Sequence, residues 1–487
     1  MVHRSDRLAL YKDGESWTYR RLLTEADRLA AGFAAAGVRA GDRVALHLAN
    51  GPEIALAYLA CFRLGAIAAP LNLRFKTPEL EAMLRRLRPC LYIGDTAHYR
   101  LVQPIGDDVL DTDARFVIGK LEDTAARPWA SLLRDAATVT FDDPDVNAPA
   151  MLFSTSGSTG QPKLVAHSQA TFGQASMRSA QAYLEAGDRL AFFMPMVHVA
   201  GFNHFFSSLI RGASSIMLDG ADPDGILDGI ETHRCTYLAT FPTIYAHLID
   251  RQRHRPRDVS SLRLCLVAGD VCPPGRQEMF QSLFGRPLNN FWGATEASGT
   301  FTYGLVPGPV SRPIPGVEIR LVDAQRNPVA TGEAGELLLR GPNLSLGYWI
   351  GPGDCEGFAD GWYATGDIMR EDEAGNFWYV ARAKDLIVRA GSNISPAEVE
   401  HVLVAHPAVI DAAVVGVPDP ILGQCVIGLL QLEKAHAPDQ LYHIRRSVSL
   451  QLADYKVPER LLAVPAIPRN ALGKINRAAL AEMAQSR

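Results

Sequence analysis

Ser154-Thr155-Ser156-Gly157-Ser158-Thr159-Gly160-Gln161-Pro162-Lys163 follows directly on a short apolar run at 151–153. Small hydroxyl residues and glycines let backbone N–H groups close around phosphate oxygens, and the lysine adds a positive charge. A Walker A loop needs four residues between its first glycine and Gly-Lys, and the spacing from Gly157 to Lys163 does not fit it. The competing reading is a plain surface loop, which so dense a hydroxyl and glycine run straight after a strand disfavours. The stretch reads as a phosphate-binding loop at the end of a buried strand.

Around this loop, apolar runs at 44–48, 91–93, 151–153, 190–193, 215–218, 237–239 and 264–267 read as buried strands. Helical patterns lie between them. Thr77 is expected to cap one helix, with Pro78 at its first position and Leu80, Met83, Leu84 and Leu87 on one face. Such alternation predicts α/β layers around parallel sheets. Near Pro307 the texture changes: strand candidates at 317–322, 336–340 and 377–380 are separated by glycine and proline turns, which predicts a small β-barrel or sandwich. After Asp385 mixed patterns resume. Ser395-Pro396-Ala397-Glu398 reads as a capping box ahead of Val399, Val402 and Leu403, and a strand is expected at 409–417. The expected fold class is α/β multidomain. Residues 1–383 form the N-terminal core, with α/β subdomains over 1–305 and a β-barrel-like subdomain over 306–383; residues 384–487 form a small mobile α+β domain.

Composition narrows the function. A chain of 487 residues accommodates two to four units at the usual ~100–200 residues per domain. The 47% hydrophobic and 21% charged residues are globular values, and a net charge of −5 leaves no basic footprint for nucleic acid. The seven cysteines, Cys61, Cys90, Cys235, Cys265, Cys272, Cys355 and Cys425, are odd in number and never form CxxC. That argues against a disulfide framework or a zinc site and fits a reducing compartment. Residues 1–20 are polar and charged, unlike a signal peptide. The most apolar stretch, 54–73, is interrupted by Arg63 and Asn72, so a buried helix running into a strand is expected rather than a span of ~20 apolar residues. The expected protein is soluble and cytoplasmic.

The Ser154–Lys163 loop resembles the phosphate loop of the adenylate-forming superfamily, which comprises acyl-CoA synthetases, luciferases and the adenylation domains of peptide synthetases. Further motifs follow in the family's order. Asn290-Phe291-Trp292-Gly293-Ala294-Thr295-Glu296 is similar to its aromatic-Gly-x-Thr-Glu motif, and Tyr363-Ala364-Thr365-Gly366-Asp367 to its Thr-Gly-Asp motif. Arg382-Ala383-Lys384-Asp385 with Gly391-Ser392-Asn393-Ile394-Ser395-Pro396-Ala397-Glu398-Val399-Glu400 resembles its hinge and the helix after it. Pro468-Arg469-Asn470-Ala471-Leu472-Gly473-Lys474 resembles its C-terminal lysine motif. The resemblance covers essentially the whole chain and is strongest to aryl- or medium-chain acyl-CoA ligases.

It implies an ATP-dependent ligase that makes an acyl-adenylate and passes the acyl group to a thiol, with ATP, Mg²⁺ and coenzyme A as cofactors. Joining a carboxylate to an α-phosphate sets anion against anion, so charge compensation and positioning must carry the catalysis. By resemblance, Ser154, Thr155, Ser156, Gly157, Ser158, Thr159, Gly160 and Lys163 hold phosphates; Glu296 is the metal ligand; Thr295 donates to the α-phosphate; and Trp292 offers a flat face for adenine. Asp367 accepts from the ribose hydroxyls, Arg382 donates to ribose or phosphate, and Lys474 brings a mobile charge to the attacking carboxylate. Lys384 is the implied hinge, whose rotation alternately brings up Lys474 and a thiol tunnel formed by Ala390 and Gly391, with Tyr455 near CoA. The implied acyl pocket is Phe172, His198, Val199, Ala268, Phe291, Gly293, Ser298 and Gly299. It contains no cation for a second carboxylate, and Gly293 stands where acetate-activating relatives hold a tryptophan. An aryl, medium-chain or branched acid larger than propionate is expected. The stretch around Phe193–His198 holds no aspartate for a substrate ammonium, which argues against α-amino acids.

Some positions depart from the family pattern. Leu164, Ala381 and Ala390 stand where glycine is usual, and Val457 removes one contact expected near CoA. Ala390 narrows the implied tunnel by a methyl group. Two alternatives therefore stay open: an acyl-AMP ligase that loads a carrier protein's phosphopantetheine, and a non-catalytic acyl- or nucleotide-binding relative. Oligomeric state is not legible.

Overall fold

The computed structural model describes residues 5–120, 125–136, 139–155, 163–269, 272, 274–301, 310, 312–389, 392–433, 439–469 and 475–486. Continuous apolar runs are what strands buried on both faces require, and the parallel strands of the first half are such runs. Arg189–Phe192 lies between Ser214–Met217 and Tyr237–Thr240, and Leu264–Val267 and Leu288–Asn290 continue the same parallel order in a seven-stranded sheet. A nine-stranded sheet holds Ile67–Pro70, Arg43–His47, Leu91–Asp95 and Arg115–Ile118 in parallel. The apolar stretch at 54–73 is, as expected, a helix, Pro52–Leu64, running into the strand Ile67–Pro70, with Gly65 turning the chain at φ 68°. Among the described residues no helix is long and apolar enough to cross a membrane.

The strand before the quoted loop is Pro149–Thr155, and the strand after it is Lys163–Ser168. The two pair antiparallel, with Thr155 opposite Lys163. Residues 156–162 therefore join two neighbouring strands of one sheet; Ser156, Gly157, Ser158, Thr159 and Gly160 lie outside the described residues.

Two expectations are corrected, both at helix starts. The helix Thr77–Leu87 is capped by Lys76, whose N–H donates to the Glu79 carboxylate at 2.9 Å, while the Thr77 hydroxyl donates to the Leu101 carbonyl instead. Over the expected β-barrel region the described residues form an antiparallel sheet, in the order Glu318–Val322, Ala334–Arg340, Tyr363–Glu371, Phe377–Arg382, and Val310 bridges Phe377 beside its last strand. The hairpin Gly347–Gly351 with Asp354–Glu356 leaves that region and extends the nine-stranded sheet, because Tyr348 pairs with Val165. Ser395 does cap the helix Pro396–Val404, but the Glu398 carboxylate takes Lys456 Nζ at 2.6 Å rather than completing the box.

Beyond residue 384 the chain has its own core. Val409–Asp419, Gly423–Leu432 and Arg460–Ala463 form a three-stranded sheet. The two apolar clusters around it draw only on residues from Ile387 onward among the described residues. A large N-terminal and a smaller C-terminal domain follow.

One glycine ties the fold to the site. In the helix Val199–Arg211, a Cβ on Gly201 would sit 2.3 Å from the Pro195 carbonyl oxygen. Alanine gains about 1 kcal/mol in helix propensity, yet overpacking against backbone costs about 1–3 kcal/mol. Gly201→Ala is expected to lower the free energy of unfolding in urea; an unchanged or raised midpoint would show that helix and loop are not in this contact.

Candidate active site

Segment 291–300 has little regular structure of its own and is held by its neighbours. His167, on the strand Lys163–Ser168, donates from Nε2 to the Thr295 carbonyl at 2.8 Å. Ser345 N–H donates to the Glu296 carbonyl at 2.9 Å, and Asn343 Nδ2 to the Ser298 carbonyl at 2.8 Å. Alternation along Tyr363–Glu371 puts Tyr363, Thr365, Asp367 and Met369 on its buried face. That face meets the segment twice.

At one meeting, Trp292 Nε1 donates to Asp367 Oδ2 at 3.0 Å. Arg382, directly across the ladder from Asp367, places Nε 3.0 Å from Oδ1 and donates a second N–H to the Thr365 carbonyl. The Trp292 ring is 8% exposed and stands edge-to-face on Phe301 at 5.7 Å. The flat platform expected for adenine is thus mostly packed, and the indole's clearest contact is its N–H on the carboxylate.

At the other meeting, Glu296 Oε1 accepts from the Tyr348 hydroxyl at 3.0 Å, and the Tyr363 hydroxyl is hydrogen-bonded to the same carboxylate. Burial first and the Glu296 charge second push both phenols well above their ordinary range, so both remain donors. Lys163 Nζ lies 4.2 Å from the centre of the Tyr348 ring. The pairing of Tyr348 with Val165 explains this, since Val165 and Lys163 share one face of their strand. Ser154 and Thr155 are half-buried at the end of the partner strand. Two carboxylates, Asp367 paired with an arginine and Glu296 held by phenols of which Tyr348 lies under Lys163, therefore meet at one ten-residue segment, and Lys474 lies outside the described residues.

Two of the expected acyl-pocket residues stand at the carboxyl ends of parallel strands, where open α/β sheets place their ligand crevices. Ala268 follows Leu264–Val267, and Phe291 follows Leu288–Asn290. His198 is the N-cap of Val199–Arg211; burial first and Arg74 second hold its imidazole below its ordinary value. Phe172, Val199 and Phe291 pack on one common apolar cluster, with Phe172 4.7 Å from the Phe62 ring. Gly299, at φ 66°, packs so closely on the Ala175 carbonyl that a Cβ would come within 2.8 Å. Ser298 is buried, whereas Gly293 is exposed, and a Cβ there would touch only the Phe291 ring at 3.5 Å.

The AMP-binding enzyme family matches residues 2–349, and its C-terminal domain matches residues 398–474. The chain belongs to the AMP-binding enzyme family. It is 31% identical to a sulfoacetate–CoA ligase of Cupriavidus necator, over 95% of this chain and 92% of that one. It is 32% identical to a medium-chain fatty-acid–CoA ligase of Escherichia coli, over 97% and 87%. Among solved structures, the anthranilate CoA ligase AuaEII in complex with anthranoyl-AMP superposes with a TM-score of 0.87 at 26% identity, over 99% of this chain and 95% of that one.

In this AMP-binding enzyme the residues expected at the thiol side are only partly in view. Ala390 and Gly391 lie outside the described residues. Tyr455 is 39% exposed, with the neighbouring Lys456 ammonium 5.7 Å from its ring. Lys384 is exposed in a short 3₁₀ turn, Ala383–Asp385. Val457 is 6% exposed and belongs to the C-terminal core.

Several site residues were not singled out from sequence. Tyr363 had a signal, since it shares the period-two face of Thr365 and Asp367. Tyr348 and His167 had none, because their roles depend on a strand pairing across 183 and on a loop across 128 positions. Asn50 also had none; its side chain clamps Met194 and Met196 at 2.9 and 2.8 Å.

His167 makes the site sensitive to acid. Burial pushes its pKa from 6.5 down to about 4, against the raising effect of the Thr295 carbonyl. Between those values the unfolded chain binds a proton that the folded chain refuses, so stability present above pH 6.5 is lost as pH falls toward 4. His47, pushed down to about 3 mainly by burial, acts in the same direction. Unfolding in urea at pH 7 and pH 5 is expected to show this loss, with a shallower one in His167→Gln. Equal slopes in the two proteins would contradict a buried neutral His167.

Proposed function

We propose that this AMP-binding enzyme is an ATP-dependent carboxylic acid–CoA ligase. A carboxylate oxygen attacks the α-phosphorus as the bond to pyrophosphate breaks. The thiol sulfur of CoA then attacks the acyl carbon, loses its proton, and AMP leaves. The observation that carries the reading is the double attachment of segment 292–296, through Trp292–Asp367–Arg382 at one end and Glu296–Tyr348 beside Lys163 at the other. The first set suits a nucleoside: Asp367 offers carboxylate lone pairs to ribose hydroxyls, oriented by Trp292 and Arg382. The second suits polyphosphate, with Lys163 supplying positive charge at the end of the hydroxyl-rich loop.

Glu296 fits Mg²⁺ as a buried hard-oxygen donor. Mg²⁺ is commonly held by one or two carboxylates together with substrate phosphates, which is the role proposed for Glu296. When bound, Mg²⁺ would offset charge on the phosphate oxygens. Tyr348 and Tyr363 orient the carboxylate, and Thr295 is placed next to it to donate toward the α-phosphate. Lys474 is the expected cation for the attacking carboxylate, delivered by rotation at Lys384; the separate core beyond residue 387 supports such a movement.

The relatives act on acids as different as sulfoacetate and medium-chain fatty acids, so this chain's own pocket must choose. The open position at Gly293 and the aromatic walls Phe172 and Phe291 favour an aryl or medium-chain acid larger than propionate. Because Val457 is a core residue, its apolar character speaks for packing rather than for a carrier-protein acceptor. Free cysteines at every described cysteine position fit the cytoplasm, where ATP and CoA are available.

Pyrophosphate release with ATP and Mg²⁺ across aryl, medium-chain and branched acids, with and without CoA, tests the reading. Acid-dependent release with acyl-CoA formation is expected; release without acyl-CoA moves the acceptor to a carrier protein, and no release with any acid overturns the ligase. Lys474→Ala is expected to cut adenylation by about a hundredfold or more, the usual effect of losing a charge that acts in the transition state. Trp292→Phe keeps an aromatic ring but deletes the N–H on Asp367. Since a hydrogen bond to a charged group contributes about 1.5–3 kcal/mol, kcat/KM for ATP should fall about tenfold or more, and an unchanged value would dissociate Trp292 from ribose binding.

A further inference from the structure

The face of the seven-stranded sheet that carries Leu190, Phe192 and Ala239 also carries buried polar residues, of which Ser215 and Asn289 are hydrogen-bonded. Tyr237, on the interior strand Tyr237–Thr240, is 2% exposed, and its hydroxyl is buried with no hydrogen-bond partner among the described residues. A buried hydroxyl without a partner is costly, and native interiors rarely leave one idle. It lines a small cavity together with Leu190, Phe192, Met194, Ala239 and His204. The cavity measures about 10 Å³, the room of a single water molecule or a single hydroxyl group.

His204 is the second polar wall. Its ring lies 5.8 Å from that of Tyr237 and 6.4 Å from Phe291, an expected wall of the acyl pocket. Nδ1 donates to the Ala200 carbonyl at 2.7 Å, which leaves Nε2 as an acceptor on a neutral ring. Burial holds His204 below its ordinary pKa, in keeping with that form. Tyr237 thus offers an O–H, and His204 offers a lone pair, across a space that holds one oxygen atom. A hydroxyl, which donates once and accepts once, satisfies both. An alkyl end satisfies neither, and a carboxylate would be buried with no cation lining the cavity.

We propose that the acyl pocket ends in a hydroxyl-binding subsite formed by Tyr237 and His204, and that the preferred acid is an aryl acid bearing a hydroxyl group on the side remote from its carboxylate. The proposal rests on the ligase reading above and names its substrate class. Neither residue takes part in the bond-making steps; both act on which acid is held.

The test is acid-dependent pyrophosphate release by the full chain, with each aryl acid paired against its ring-hydroxylated counterpart, in the natural protein and in Tyr237→Phe. A site built around a substrate hydroxyl rejects the analogue that lacks it, because its own polar groups are then left unpaired. At least one hydroxylated acid should exceed its parent by about tenfold in kcat/KM, and Tyr237→Phe should bring that ratio to within about twofold of one. A ratio of kcat/KM values does not depend on how much of the variant is folded. Parents that equal their hydroxylated partners throughout would overturn the subsite and leave a structural water as the cavity's occupant. So would a preference that survives Tyr237→Phe. Failure of every acid to release pyrophosphate in the natural protein would overturn the ligase reading, and the subsite with it.

Discussion

Among the described residues the candidate site buries two carboxylates, Asp367 at 3% and Glu296 at 8% exposure. A buried charge is tolerated only when donors or an opposite charge replace the water it has lost. Meeting that requirement brings the rest of the site together. Asp367 needs Trp292 from one segment and Arg382 from the neighbouring strand. Glu296 needs phenols from two different sheets, Tyr348 and Tyr363. Removing one partner would leave a charge unsatisfied in a dry place, which is costlier than losing an exposed salt bridge. Segment 291–300 can therefore be irregular in itself and still hold a defined course.

The same constraint explains why three sheets meet at this point. The nine-stranded sheet contributes Lys163, His167 and Tyr348, the antiparallel sheet contributes Tyr363, Asp367 and Arg382, and the carboxyl ends of the seven-stranded sheet contribute Ala268 and the approach to Phe291. Excursion of the hairpin Gly347–Gly351 with Asp354–Glu356 from the antiparallel region into the nine-stranded sheet is the covalent stitch between the first two. The domain beyond residue 387 shares none of their apolar clusters among the described residues. Ser395, at the start of its first helix, donates a hydrogen bond to the Val380 carbonyl.

Much of this was legible beforehand. The apolar runs at 237–239 and 264–267, and the helix-to-strand reading of 54–73, were found close to where they were expected, because strands buried on both faces leave an unbroken apolar signature. The motif residues Glu296, Asp367 and Arg382 were named from sequence, and the structure brings Asp367 and Arg382 into contact. Thr77 was misjudged because a hydroxyl at a helix start has other partners within reach; here it is the Leu101 carbonyl. Val457 looked like a missing phosphate contact and proved to be core.

What the sequence determined by itself is the order of local elements and the chemical kinds of group available: a hydroxyl- and glycine-rich turn after a buried strand, acids and an arginine at set positions, an open glycine at 293. These are properties of short windows, governed by periodicity and backbone preference. Only the tertiary structure decided which donors desolvate which carboxylate, that Trp292 turns its N–H to Asp367, that Lys163 lies over Tyr348, and that Tyr237 and His204 face one water-sized cavity. Those contacts join residues far apart in the chain, and whether a polar group is buried with a partner or without one is settled by packing, which no local pattern encodes.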